Sequence, residues 1–272
     1  MKHRSLYLSG IFLLALLFAT AAGPSVSPYT FDQQDPSALL QPPSAAHWMG
    51  TDRLGRDLFT RVLAGGRLSI SIGLFSAVTA LVIGVLYGGA AGYGSDRTDQ
   101  ILMRGLDIVF ALPDILLIIL MMVVLGRGLL GIFLALTLVS WVTVARLVRG
   151  EVLRLKEYDF VAAAGALGAG DSAVFFRHIL PNIVGPLIVT LSYRIPAAIL
   201  AESTLSFIGL GLAPPAASWG ILANEGWSGM RFYPYLIFFP SLFIFLTILS
   251  LNTLGDRLRD MFDPRGGPEC WD

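Results

Sequence analysis

The stretch RLVRGEVLRLKEYDFVAAAGALGAGDSAVFFRHILP, residues 146–181, is a polar segment between two long apolar runs. It carries five formal positive charges, at Arg146, Arg149, Arg154, Lys156 and Arg177. Within it, residues 158–167 are predicted to form a short helix, because Asp159 can cap the start, four alanines favour the interior, and Gly168 and Gly170 favour an end. A short, alanine-surfaced helix held at a membrane face is suited to the groove of another protein.

The composition indicates an integral membrane protein. Of the 272 residues, 55% are hydrophobic and only 14% are charged, whereas soluble domains carry about 25% charged residues. The formal net charge of zero argues against a nucleic-acid partner. The single cysteine, Cys270, cannot form an internal disulfide. The sequence therefore predicts an all-α membrane protein without a soluble domain.

The lysines exclude one way of binding ATP. A Walker A loop needs a lysine between glycine and serine or threonine, and the chain has only Lys2 and Lys156, neither of which follows a glycine. The sequence therefore predicts that this chain does not bind ATP through a Walker A loop.

Hydropathy predicts six transmembrane helices, since about 17 to 25 residues cross a bilayer. They are 6–22, 68–93, 101–125, 129–148, 183–203 and 234–254, and Pro113 interrupts the third. The first run also resembles a cleavable signal peptide, with a basic start and a small-residue end. We favour an uncleaved anchor, because six spans then place both termini on one side.

The segment between the first two spans is polar and proline-rich. At its end, Leu58, Phe59, Val62 and Leu63 share one helical face, which predicts an interfacial helix lying on the membrane. Asp57 and Arg61 have the spacing of a helical ion pair. We divide the chain into an anchor with an extracytoplasmic segment (1–67), a transmembrane domain (68–258) with a cytoplasmic loop (149–181), and a cytoplasmic tail (259–272).

The distribution of cations predicts that both termini are cytoplasmic, because positive residues accumulate in cytoplasmic loops. In this orientation twelve cations are inside and six outside. The inner ones are Lys2, Arg4, Arg97, Arg104, Arg146, Arg149, Arg154, Lys156, Arg177, Arg257, Arg259 and Arg265, and the outer ones are Arg53, Arg56, Arg61, Arg67, Arg127 and Arg231. Four arginines in the first outer loop argue against this orientation. The neighbouring Asp52 and Asp57 weaken that argument, because their negative charges partly offset the arginines.

The central loop resembles the permease subunits of binding-protein-dependent ABC importers. Their cytoplasmic signature is Glu-Ala-Ala, three residues, Gly, nine residues, and Ile-x-Leu-Pro, and this chain matches it at 162–164, Gly168 and 180–181. Two departures are Ala162 in place of the glutamate and His178 in place of the isoleucine. The missing carboxylate removes a possible salt bridge to the ATPase but leaves docking of the helix possible.

Further stretches are similar to the second permease of the dipeptide, oligopeptide and nickel group. They are GTDRLGRDLFTR (50–61), LMRGLDIVFALP (102–113), DFVAAAGALGAG (159–170), RHILPN (177–182), AESTLSFIGLGL (201–212), SWG (218–220) and NTLGDRLRDMFDPR (252–265). The resemblance implies the type I importer permease fold, with about five core helices after a first anchoring helix. It also implies a bacterial cytoplasmic membrane location and no cofactor.

The resemblance implies partners and a mechanism as well. The expected partners are a second, related permease in a heterodimer, two cytoplasmic ATPases and an extracytoplasmic binding protein, and transport would proceed by alternating access. The residues implied to couple the permease to the ATPase are Asp159, Ala162, Ala163, Ala164, Gly168, Leu180 and Pro181. Peptides are the first substrate expectation, and nickel, free or as a metal chelate, is the alternative.

Ionisable residues within predicted spans are candidates for the translocation pathway, since they are costly in lipid and usually face a bundle interior or a wet cavity. These are Asp114, Arg194 and Glu202, with Asp114 and Arg194 at depths that allow a pair. Near the cytoplasmic end of the third span, Asp107 is predicted to pair with Arg104. The three histidines have no partner at metal-ligand spacing, so no metal site is predicted.

Two other classes of function remain as alternatives. A self-sufficient ion-coupled carrier would need intramembrane acids, for which Asp114 and Glu202 are the candidates. An intramembrane enzyme ranks lower, because neither His-Glu-x-x-His nor Gly-x-Ser-x-Gly occurs.

Overall fold

The structure, a computed structural model, describes residues 2–262 and consists of helices joined by loops. The helices are α1 (Lys2–Val26), α2 (Leu58–Tyr93), α3 (Asp96–Phe110), α4 (Asp114–Leu125), α5 (Leu129–Lys156), α6 (Asp159–Ala166), α7 (Asp171–Val174), α8 (Leu180–Phe207), α9 (Trp219–Trp227) and α10 (Tyr235–Phe262). A π-turn, Phe175–Ile179, joins α7 to α8. Within 2–262 no strand forms, which agrees with the predicted all-α class. The predicted tail beyond Phe262, including Cys270, lies outside the described residues.

Four helical runs are long and apolar enough to cross a membrane: α2, α5, α10 and the run Asp171–Phe207 that includes α8. The pair α3 and α4 together forms a fifth candidate, bent by 85°. This bend lies at Pro113, where the sequence predicts a break, because proline has no N–H to continue the helix. The apolar part of α1, Tyr7–Gly23, is shorter.

Helices α2 and α5 form the centre of the bundle, and glycines on α2 bring them together. A Cβ on Gly84 would meet Val144, and a Cβ on Gly88 would overlap the carbonyl oxygen of Ala145. Glycine is needed at these positions because the two backbones approach within the space of a side chain. The small residues of this span therefore serve close helix packing, as predicted.

Helix α1 packs on the outer half of the bundle, against α2 and α10. Leu16 and Thr20 are both 3% exposed, and Leu16 belongs to an apolar cluster with residues of α2, α8 and α10. A Cβ on Gly66 of α2 would meet the side chain of Thr20. The first helix thus packs on its neighbours through Leu16 and Thr20.

The region around Leu58 differs from the prediction. Residues 58–63 form the first turns of α2, which continues without interruption to Tyr93, and not a separate interfacial helix. The predicted Asp57–Arg61 pair is wrong, because Asp57 caps α2 by accepting from the Thr60 N–H, and also contacts His47. Arg61 turns instead toward Asp52 and Glu225.

Much of the segment 149–181, which is predicted to form the cytoplasmic loop, is helical. Helix α5 continues to Lys156, and the next helical run begins at Asp171. Polar residues 149–156 and 171–181 therefore extend the long helices, and only 157–170 separates them. This places α6 directly between the ends of two long helices.

Candidate functional site

Helix α6, Asp159–Ala166, forms where the alanine-rich segment predicts a short helix. Asp159 is its first helical residue and Tyr158 is the N-cap, with no side-chain capping bond, so the predicted cap by Asp159 is wrong. The carboxylate of Asp159 instead lies in the first turn, where negative charge favours the positive end of the helix dipole. The residue remains exposed and available to a partner.

Gly168 ends α6, as the sequence predicts. Its φ angle is +88°, a left-handed conformation that side chains disfavour. The Ala169 N–H donates to the Ala164 carbonyl at 3.1 Å, and the Gly168 N–H donates to the Gly165 carbonyl at 2.9 Å. These bonds satisfy carbonyls that the helix end would leave unpaired. Gly170 does not end α6 but is the N-cap residue of α7.

The two faces of α6 have different roles. Val161 and Ala164 are buried in an apolar cluster with Val152 and Leu155 of α5 and with residues of the α7–α8 run. Ala162 and Ala163 are on the outward face and exposed. Of the predicted coupling residues, Ala164 therefore fixes the helix to its own chain, whereas Ala162 and Ala163 are free to contact a partner.

Leu167 extends from the end of α6 and is 89% exposed. Of the exposed apolar side chains in and next to α6, which include Tyr158 and Phe160, Leu167 is the most exposed. The sequence analysis did not single it out, although its position just before the helix-ending Gly168 is a signal that could have done so. Together, the surface of Asp159, Ala162, Ala163 and Leu167 forms what we call the docking face of α6.

Leu180 and Pro181 lie in the first turn of α8, away from the docking face. Leu180 packs against the apolar cluster beneath α6, and Pro181 is exposed. The preceding π-turn accommodates Pro181, which has no N–H to donate to a carbonyl one turn earlier. Leu180 thus helps to form the cluster on which α6 packs, and Pro181 lies exposed at the start of α8.

Ion pairs connect α5 to the broken span near the cytoplasmic end. Arg149 binds Asp99 of α3 through Nε and Nη2, each at 2.5 Å. Arg146 binds Asp107 of α3 at 2.6 Å and lies over the ring of Phe110. The predicted Asp107–Arg104 pair is therefore replaced by a pair to the neighbouring helix. Each pair ties α3 to the helix that leads into α6.

The break between α3 and α4 exposes residues 110–114 on the surface of the isolated chain. Asp114 begins α4 and makes no hydrogen bond or ion pair within residues 2–262. Pro113, the N-cap residue, gives no side-chain cap to the helix either. An exposed stretch of backbone and an unpaired carboxylate therefore lie together where α3 meets α4.

Arg194 lies within α8 and is half-buried. Its guanidinium makes no ion pair or hydrogen bond to any described residue, so the predicted pair with Asp114 is not formed as a direct contact.

Glu202 is fully buried, at 0% exposure, and does not face an open cavity. Its Oε2 accepts from Ser69 of α2 at 2.8 Å, and its Oε1 accepts from Ser206 at 2.8 Å. The Ser69 hydroxyl oxygen also accepts from the Trp219 N–H at 3.3 Å. Glu202 thus links α2, α8 and the start of α9 through buried hydrogen bonds, at the end of α8 that is far from α6.

A second buried network, which we call the outer charge cluster, consists of Asp52, Arg56, Arg61 and Glu225. Asp52 accepts from Arg56 at 2.6 Å and from Arg61 at 2.5 Å, and Glu225 of α9 accepts from Arg61 at 2.5 Å. Arg61 is 0% exposed. The sequence analysis missed this cluster, because Glu225 is 164 positions from Arg61.

Comparison with known proteins identifies the family. Residues 61–266 match the family described as binding-protein-dependent transport system inner membrane component, and residues 1–43 match the N-terminal TM domain of oligopeptide transport permease C. The chain is similar to the dipeptide transport system permease protein DppC of Bacillus subtilis, with 45% identity over 97% of this chain and 83% of the relative. Similarity extends to OppC of the same organism, an oligopeptide transport system permease protein, with 43% identity over 97% of this chain and 87% of the relative.

A further relative is the glutathione transport system permease protein GsiD of Pectobacterium atrosepticum, with 42% identity over 94% of this chain and 86% of the relative. Among solved structures, a chain of the MetNI methionine ABC transporter in an inward-facing form superposes with a TM-score of 0.61, covering 74% of this chain and 96% of that one. At 16% identity, that likeness supports the fold alone. On the extent of the family match, the chain belongs to the inner membrane components of binding-protein-dependent transport systems and is a permease subunit of an ABC importer.

Proposed function

We propose that this permease imports dipeptides and oligopeptides across a bacterial cytoplasmic membrane. The observation that carries the proposal is the docking face of α6, a small-residue surface held between two long helices where an external ATPase can push on it. The relatives named for dipeptides, oligopeptides and glutathione all transport peptide-like molecules and favour peptides over the nickel alternative.

The proposed assembly has four kinds of component. A second, related permease completes the translocation pathway, two cytoplasmic ATPases bind the docking faces, and a binding protein delivers substrate to the outer side. The exposed apolar faces of α4 and α10 support burial against another subunit or lipid. ATP-driven closure of the ATPases would move α6 and, through α5, the rest of the bundle.

In the membrane we propose six spans with both termini cytoplasmic. The spans are α1, α2, the bent pair α3–α4, α5, α8 and α10. Retention of α1 is supported by the burial of Leu16 and Thr20 against its neighbours. The orientation is supported by the cation count, with twelve cations inside and six outside. Two of the outer cations, Arg56 and Arg61, are paired with Asp52 and Glu225 in the folded protein.

For the pathway we propose Asp114 and Arg194 as lining residues. Both are ionisable, neither is paired within the described chain, and Asp114 lies at the break between α3 and α4. Glu202 was predicted with them, but its complete burial among serines supports a structural role at the outer end instead.

Reconstitution tests the proposal. The importer, assembled with its partner subunits in proteoliposomes, should take up a radiolabelled dipeptide when ATP and the loaded binding protein are both supplied. Omission of ATP should abolish uptake, which an ion-coupled carrier would not require. Uptake of nickel without uptake of peptides would contradict the proposed substrate while leaving the permease role intact.

A further inference from the structure

A cavity of about 810 Å³ lies between the N-terminal parts of α2 and α5. It is partly open, and Phe31 of the segment before α2 and Ala216 and Ala217 of the connection between α8 and α9 complete its wall. Most of the remaining lining is apolar, formed by Leu68, Ile72, Phe75, Leu129, Leu130 and Phe133. Sites for small ligands typically have about 300–1,000 Å³ and a mostly apolar lining with a few polar groups. The cavity therefore has the size and lining of a ligand site.

The register of the two central helices shows how the cavity is built. A Cβ on Gly84 would meet Val144, and a Cβ on Gly92 would meet Val152, so that α2 and α5 run parallel with an offset of 60 positions in both cases. The same offset places residues 129–133, at the start of α5, beside residues 69–73 of α2. The first turn of α5 is therefore the wall that accompanies α2 along the cavity.

Polar side chains follow the α2 wall of this cavity. Arg67, Ser71, Phe75 and Thr79 all line it at a spacing of four residues, which keeps them near one helical face. The distance along the helix from the first to the last is about 18 Å, the length of about five residues of extended peptide. Among the described residues, none of the three polar side chains has a hydrogen-bond or ion-pair partner. The wall therefore offers unused polar groups over the length of a short peptide.

The polar groups select the chemistry of the ligand. Arg67 is exposed, and no acid is among the described residues that line the cavity, so its charge favours an anion. A guanidinium can donate two parallel hydrogen bonds to a carboxylate, and a hydroxyl can donate to or accept from an amide. A lipid acyl chain has no group to pair with Ser71 and Thr79, whereas a peptide has a terminal carboxylate, amide groups and side chains. The lining therefore fits a peptide better than a lipid.

We propose that this cavity binds a peptide in transit, with Arg67 holding the terminal carboxylate and the peptide extending along α2 toward Thr79. This inference rests on the proposed peptide import and names how the pathway recognises its substrate. Ser71 and Thr79 bond to the peptide amides, and Phe75 and Phe133 contact apolar side chains of the peptide. The cavity then favours peptides of up to about five residues with a free C-terminus.

The first test compares an apolar tripeptide with its C-terminal amide, chosen so that the binding protein binds both, as checked by calorimetry. Uptake is measured in the reconstituted importer carrying Arg67→Gln, Arg67→Lys or the control Arg127→Gln. Arg127 is exposed just before α5, at the level of Arg67 by the register above, but does not line the cavity.

Arg67→Gln should lower uptake of the free acid at least roughly tenfold, since a hydrogen bond to a charged group is strong enough for that factor. Uptake of the amide should stay within roughly twofold, and Arg67→Lys should restore part of the uptake of the acid. The control should leave both unchanged. Equal loss for both substrates would indicate a structural contact of Arg67, for instance with the second permease, and would overturn the proposal, as would no loss for either.

The second test does not alter Arg67. Ser71→Cys, in a Cys270→Ser background, places a thiol in the cavity, and the control Leu74→Cys places one on an exposed apolar part of α2 that does not line it. A charged thiol reagent should label position 71 during turnover, and excess tripeptide should slow this labelling at least roughly threefold without affecting position 74.

No labelling of position 71 would show that lipid or the second permease covers the cavity, and labelling that the tripeptide does not slow would show that no peptide enters it. Either result would overturn the proposal. Failure of the native importer to take up any peptide would instead reject the proposed function.

Discussion

Arg149 of α5 holds Asp99 of α3 in a two-point contact, Nε to Oδ1 and Nη2 to Oδ2, with both distances 2.5 Å. Lys156, where α5 ends, is two turns further along, and α6 follows directly. The contact therefore links the helix that leads into the docking face to the first half of the broken span. A displacement of α6 has a direct route to the bend at Pro113.

We expect Asp99→Asn to weaken the coupling of ATP hydrolysis to transport. The substitution removes the charge from a two-point contact, while the partial exposure of both side chains keeps the effect on stability within about 1 kcal/mol. The ratio of peptide uptake to ATP hydrolysis in proteoliposomes should fall several-fold. A fall of this order corresponds to the free energy lost when one charge-assisted hydrogen bond is weakened. The control is Arg154→Gln, on the same helix and exposed.

The charge swap Asp99→Arg with Arg149→Asp should restore part of the lost coupling, measured as the ratio of peptide uptake to ATP hydrolysis. If Asp99→Asn and the control behave alike, the contact has no part in coupling.

Ala163→Glu should release the ATPase while leaving the permease folded. Ala163 is exposed on the docking face, so a carboxylate there meets solvent in the free permease but obstructs a partner. Ala164→Glu is the contrasting variant, because Ala164 is buried against α5 and the α7–α8 run, where an unpaired charge is destabilising. Copurification of the ATPase and thermal unfolding of the permease distinguish the two.

Only the second variant should lower the unfolding temperature. Normal transport by Ala163→Glu, with the ATPase still bound, would contradict the proposal that the docking face binds the ATPase.

Much of this architecture is present in local sequence. Each long helix follows from an apolar run, and the bend follows from Pro113. The start of α2 was not predicted, because Arg61 and Arg67 are charged and were placed outside the membrane span. Arg61 can be buried because it forms ion pairs with Asp52 and with the distant Glu225. The ends of α5 and α8 could not be predicted from polarity, because polarity marks where a helix leaves the membrane and not where the helix ends.

Removal of the Glu225 carboxylate alone should destabilise the outer charge cluster more than removal of one anion and one cation together. Glu225→Gln leaves Arg56 and Arg61 with a single carboxylate, and we expect a loss of about 1–3 kcal/mol in unfolding free energy. The double variant Arg61→Met with Glu225→Gln restores the charge balance and should lose less than the sum of the single variants. Chemical unfolding of the solubilised permease measures each value. Strict additivity would show that the cluster is not coupled.

Glu202→Gln should be tolerated better than Glu202→Ala. The amide retains the size and one acceptor oxygen, whereas alanine leaves the Ser69 and Ser206 hydroxyls without their acceptor, at a cost of about 1–3 kcal/mol. The neighbouring Thr204→Ala is a suitable control, since Thr204 is exposed and bonds only within its own helix. Thermal unfolding provides the measurement. Similar unfolding temperatures for all three variants would contradict a structural role for the Glu202 hydrogen bonds.

Cys270 provides a test of orientation. With the C-terminus cytoplasmic, a membrane-impermeant maleimide should label Cys270 in permeabilised cells and not in intact cells. The control is a cysteine introduced at the exposed outer position of Arg53, in a Cys270→Ser background, which should be labelled in both. Labelling of Cys270 in intact cells would reverse the proposed orientation.

The outer charge cluster also has a consequence for biosynthesis. Arg56 and Arg61 are translated early, but Glu225 follows Arg61 by 164 residues. While the first two helices enter the bilayer, only the acids of the loop itself, Asp32, Asp35, Asp52 and Asp57, are present to offset its arginines. The apolar helices on either side must then drive its passage to the outer side. The arginines gain their second acid only when α9 emerges from the ribosome. The outer surface of the permease can therefore reach its final form only when synthesis is almost complete.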